Sequence, residues 1–159
     1  MNEQLSNLDK EKRCYIMSAI MVFEGFNQID SMTEIRGEMN LDALGLSKID
    51  IVSFQMPDYS QVVSNLKSIT DPEVRHYIIS NTYLPVLRSQ RKDAFRAFRQ
   101  FCYDLGWDSK EVKESMEITE SISDLKPIND ISNGSSKAGC LTVAAFVIVS
   151  TTLLAFTVI

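Results

Sequence analysis

The stretch KDAFRAFRQFCYDLG, residues 92–106, decides the fold class. Its apolar residues fall at Phe95, Phe98, Cys102 and Leu105. Steps of three and four place them on one face of an α-helix. The cations Lys92, Arg96 and Arg99 lie about a quarter turn away on that helix, so the rings can enter a core while the charges meet water. Gly106 follows the last periodic residue and suits a left-handed helix stop.

The same period extends in both directions. Upstream, Thr70-Asp71-Pro72-Glu73 supplies a capping residue, a proline for the first turn and an acid behind it. Thr70 is the expected cap. The helix it opens carries Val74, Tyr77, Ile78 and Leu84, and Pro85 is expected to kink or end it. Residues 58–69 show Tyr59, Val62, Val63, Leu66 and Ile69 at helical spacing. Residues 31–44 begin with Ser31 and Glu34 as a capping arrangement and stop at Gly45. Residues 9–26 carry Tyr15, Ile16, Ala19, Ile20, Val22 and Phe23, a broad face to bury. Downstream, Asp108 caps a last short helix. The apolar run of residues 47–54 is ambiguous between helix and strand, and nowhere does apolar–polar alternation last long enough to claim a strand. The expected class is all-α, a compact bundle of about six or seven helices joined by short turns.

At the C-terminal side stands CLTVAAFVIVSTTLLAFTVI, residues 140–159, without one charge. Twenty helical residues at about 1.5 Å each match the roughly 30 Å of a bilayer's hydrocarbon core. Its Leu, Ile, Val and Phe residues contribute about −3 to −6 kcal/mol toward insertion. The expectation is one transmembrane helix acting as a tail anchor. Lys126 and Lys137 precede the span and no cation follows, as cytoplasmic placement of the body prefers. MNEQLSNLDKEKR at the start has no apolar run after its charges, so no signal peptide is expected. Cys140 opens the span, and whether it is lipidated stays open, as does helix pairing through Thr151 and Ala155. The expected organisation is a cytosolic domain over residues 1–117, a flexible Ser/Asn/Asp/Gly-rich linker over 118–139 and the anchor over 140–159.

With the 159-residue chain divided this way, about 120 residues remain for the body, enough for one core. A net charge of −5 argues against nucleic acid as a partner. Cys14 and Cys102 read as reduced, buried thiols.

The stretches IMVFEGFNQIDSMTEIRGEMNLDALGL, SITDPEVRHYIIS and FRAFRQFCYDLGWDSKEVKESME resemble, in helix order and turn residues, a TerB-like (tellurite resistance protein B-like) domain. The likeness covers most of residues 14–117 and implies an all-helical fold of two similar halves. The family's acidic, metal-linked turns are only half matched. Glu24-Gly25 stands where Asp-Gly is usual, and Leu87-Arg88-Ser89-Gln90 where an acidic turn is usual. Metal binding is therefore not implied.

Residues fit for chemistry are few. His76 is the single histidine, and two cysteines with one histidine do not make a zinc site in the body. A thiol nucleophile with His76 as base has no local support, and no phosphate-cradling glycine loop is present. Glu24, Asp30, Glu34 and Glu38 are the acids that a metal would need gathered. The outstanding charge feature is RSQRKDAFRAFR, residues 88–99. On one continuous helix, Arg88, Lys92, Arg96 and Arg99 would form a basic stripe, with Arg91 beside it. These five are the expected contacts to an anionic surface or a protein partner. The reading is a non-enzymatic, tail-anchored interaction or scaffold module without cofactor, with homo-oligomerisation open. The alternatives are a small membrane-bound metal-dependent sensor or enzyme using the acids, or a structural subunit of a larger membrane complex.

Overall fold

Short side chains that accept backbone N–H groups open most of the helices. In the computed structural model, residues 3–28 and 30–128 are described. They form α1 Glu3–Ser6, α2 Lys10–Glu24, α3 Ser31–Leu44, α4 Lys48–Phe54, α5 Tyr59–Lys67, α6 Pro72–Ser89, α7 Lys92–Leu105 and α8 Ser109–Ser123, with no strand among the described residues. The body is all-α. Asp9, Asp30, Ser47, Asp58, Asp71 and Asp108 cap α2, α3, α4, α5, α6 and α8. Each such cap contributes about 1 kcal/mol by satisfying N–H groups that have no helical acceptor.

Two caps differ from the sequence expectation by one residue. Ser31 is already helical, and the Asp30 carboxylate accepts from the Thr33 N–H at 2.7 Å. Thr70 gives way to Asp71, whose Oδ1 accepts from the Glu73 and Val74 N–H groups at 2.9 and 3.1 Å. The reason is Pro72 at the first helical position: the residue before a proline is held extended and becomes the cap. The ambiguous run of residues 47–54 resolves as helix α4, because Ser47 and Asp50 form a reciprocal capping box. Gly45 and Gly106 end α3 and α7 in the left-handed conformation at φ 60° and 64°, which only glycine adopts without cost.

Pro85 neither ends nor breaks α6, which runs on to Ser89. Pro85 is buried, and the Asn27 side-chain amide donates to the Pro85 carbonyl at 3.0 Å. Tertiary packing thus offsets the helix bond that proline cannot make. The small helix α1, not anticipated from the sequence, buries Leu5 completely.

α2 and α6 form the centre. α2 buries residues all around its C-terminal two thirds, from Cys14 to Phe23, and α6 buries Val74, Ile78, Ile79, Tyr83, Val86 and Leu87. α7 closes one side with Phe95, Phe98 and Phe101. Phe98 stacks on Tyr83 at 4.8 Å between centroids and meets Phe23 edge-on at 5.8 Å. α8 lies along α6, joined by Arg75–Glu111, His76–Ser115 and Tyr83–Glu120 hydrogen bonds.

α8 is not short. It continues six residues past the boundary expected after residue 117, and Leu125 and Ile128 beyond it pack against the core. Residues 118–123 are therefore helix rather than linker. No helix among the described residues is long and apolar enough to cross a membrane. Residues 140–159, the expected span, lie outside the described residues, as does the rest of the expected linker from 129.

Candidate functional site

The five basic residues singled out in the sequence do not share one helix. α6 ends at Ser89, Gln90 turns the chain at φ 50°, and α7 starts at Lys92. Gln90 holds that turn by donating its side-chain amide to the Leu87 and Lys126 carbonyls. Arg88 is consequently separated from the stripe. It points toward Asp30, with Nη2 3.4 Å from Oδ2, and its side chain is only 23% exposed. Arg91 occupies the cap position of α7 and grips Asp93 through two hydrogen bonds of 3.0 and 2.6 Å. Its guanidinium also sits 5.5 Å from the Phe26 ring centre. That pairing raises the Arg91 pKa and lowers that of Asp93.

What remains is Lys92, Arg96 and Arg99 on the solvent face of α7. Tyr103 continues the row at 81% exposure, so the steps are four, three and four. Arg96 and Arg99 make no ion pair among the described residues. The opposite face of α7 buries Ala94, Phe95, Ala97, Phe98, Phe101 and Leu105. Cys102 stands at the edge rather than in the centre of that face.

The acids do not gather. Glu24 binds Arg36 through two hydrogen bonds of 2.9 and 2.8 Å, Asp30 caps α3, and Glu38 pairs with Lys48 at 3.0 Å. Among the described residues no three His, Cys, Asp or Glu side chains are arranged to hold a metal ion. The thiols are poor nucleophiles where they sit. Burial pushes the Cys14 pKa up, and pushes that of Cys102 to about 12. His76 is committed elsewhere, its Nδ1 3.0 Å from the Ser115 hydroxyl.

That histidine lines a groove of about 580 Å³ between α6 and α8, together with Tyr77, Leu84 and Ile122. The groove is less polar than its residue names suggest. Thr119 and Ser123 donate their hydroxyls back to carbonyls one turn earlier, and the Tyr77 hydroxyl donates to Asn40. Sequence reasoning missed this groove, because it exists only where two helices distant in the chain lie side by side.

A second surface missed at that stage is apolar. Met32, Ile35 and Met39 of α3 and Ile49 and Val52 of α4 are exposed. Their spacing was readable as a helix face. Which side of α3 meets the core was not, and the side buried is that of Asn40 and Leu44. No family model matches the chain, and neither a curated protein nor a solved structure matches it.

Proposed function

We propose that this chain is a helical interaction module tethered to a membrane by residues 140–159, with its body on the cytoplasmic side. The observation that carries the reading is the charge-free run of twenty residues joined to a body whose core closes without it. Leu5, Phe23, Tyr83 and Phe98 are already covered by residues of the body itself. A core covered in this way supports the tether over a buried core helix as the reading of the run. Tethering confines the body to a thin layer and raises its effective concentration for neighbours in that layer. Lys92, Arg96 and Arg99, with Tyr103 beside them, form the surface for anionic groups there, each cation contributing about 1 kcal/mol near such a surface. The likeness of the body to TerB-like domains belongs to the same proposal and rests on helix order and turn residues.

The test is alkaline carbonate extraction of membranes carrying the full chain. Resistance to extraction is expected, together with release into the soluble fraction when residues 140–159 are deleted. Val149→Arg should impair insertion by about 3 kcal/mol. Complete extraction of the full chain would refute the tether.

A further inference from the structure

Eight large apolar side chains are exposed among the described residues, and five of them belong to α3 and α4. Met32, Ile35 and Met39 follow one another at steps of three and four on α3. They point away from Asn40 and Leu44, the residues that α3 buries. Met39 is 65% exposed and Ile49, on α4, 75%. The exposed Glu38–Lys48 ion pair, at 3.0 Å, brings the first turn of α4 beside the middle of α3.

This apolar stripe has an acidic edge. Glu34, Glu38 and Asp42 recur every four residues beside Ile35 and Met39. The Glu34 and Asp42 carboxylates have no hydrogen bond or ion pair among the described residues. Between residues 30 and 54 the acids are Asp30, Glu34, Glu38, Asp42 and Asp50, against only Arg36 and Lys48. Both cations are engaged, Arg36 by Glu24 and Lys48 by Glu38, while Asp30 and Asp50 are paired with Arg88 and Lys10, so Glu34 and Asp42 are the acids of this segment left without an ion pair among the described residues.

We propose that the α3–α4 face docks a basic amphipathic helix of a partner protein. Apolar residues at helical steps fit the apolar face of such a helix, and methionines adapt to its side chains. The acidic edge selects the charge of the occupant. A second copy meeting this face with the same face would set acid against acid, which costs affinity. Anionic headgroups are repelled for the same reason. Residues 140–159 carry no cation to satisfy the acids. The inference rests on the reading of the chain as an interaction module but not on its tether, which carbonate extraction reports separately.

The experiment titrates the full chain, with zwitterionic lipid nanodiscs present, into a fluorescent helical peptide that carries Leu on one face and Lys along both flanks. A second peptide has Glu in place of every Lys. Saturable binding of the basic peptide alone is expected, weakening as salt rises. Met39→Asp should weaken it about tenfold or more. Glu34→Lys combined with Asp42→Lys should weaken it about tenfold and flatten the salt dependence. Lys110→Ala with Lys113→Ala, at exposed positions of α8, should leave it unchanged. All the substituted side chains are exposed, so unaltered melting curves accompany these effects. Equal binding of both peptides, or no response to Met39→Asp, would overturn the proposal. So would a chain dimer that Met39→Asp abolishes, anionic-vesicle binding lost with that substitution, or a photocrosslinker at position 39 that captures residues 140–159.

Discussion

Removing the Arg36 guanidinium should loosen α3 more than any surface charge change would. Glu24 on α2 and Arg36 on α3 have side chains only 12% and 14% exposed, and they meet through two parallel hydrogen bonds of 2.9 and 2.8 Å. An exposed ion pair contributes about 0–1 kcal/mol. This one is different because Arg36→Ala strands a largely buried carboxylate, and breaking such pairs costs about 3–5 kcal/mol. Residual solvent contact at Glu24 argues for the lower end, about 3 kcal/mol. α3 has few other ties: its buried residues are Asn40 and Leu44, Asn40 accepts from the Tyr77 hydroxyl at 2.8 Å, and Arg13 donates to the Leu44 carbonyl at 2.8 Å. The loss should therefore appear first as local opening of α3, and only partly as global unfolding. Hydrogen exchange of residues 31–44 should accelerate strongly, while α2 and α6 keep most of their protection. Urea unfolding of residues 1–128 should report the global share. The double substitution Glu24→Gln with Arg36→Met should recover most of the stability, since it leaves no stranded charge. If Arg36→Ala costs under about 1 kcal/mol and exchange in α3 is unchanged, the pair is a surface decoration and the reasoning fails.

Asp71→Ala should cost about 1 kcal/mol by stranding the Glu73 and Val74 N–H groups, whereas Thr70→Ala should be near neutral, as chemical denaturation of the two variants will show. Phe98→Ala should cost about 3–5 kcal/mol, because its ring is fully enclosed between Tyr83 and Phe23; a melt unchanged by this substitution would contradict the packing. Tyr59, Tyr77 and Tyr83 have pKa values raised by burial above the ordinary 10.0, so in the fold they hold protons that the unfolded chain has released. Stability should thus be insensitive to these groups below about pH 10 and fall as pH rises beyond it, which a denaturation series against pH will read.

The sequence by itself determined that the body is helical and where most helices start and stop. Those signals are local. Asp58 and Asp108 cap, Gly45 and Gly106 stop, and the apolar period of residues 92–105 is written in consecutive residues. Even the capping box that makes α4 a helix stands in the sequence as Ser47 and Asp50, three residues apart. What only the tertiary structure decided is which face of a helix finds a neighbour. α3 shows this most clearly: its Met32, Ile35 and Met39 have the spacing of a core stripe, yet Asn40 and Leu44 are the residues covered. The basic residues show it again. Steps of four from Arg88 to Lys92 suggest one helix, but the chain turns at Gln90, held by a bond to the distant Lys126 carbonyl. The end of the body was hidden for the same reason. Residues 118–123 carry Ile118 and Ile122 four residues apart, yet both are exposed, and the residues that α8 buries are the polar Ser115 and Thr119. Periodicity reports that a helix has two unlike faces. The partner that covers one of them is chosen by packing between segments far apart in the chain, a choice no local window of sequence contains.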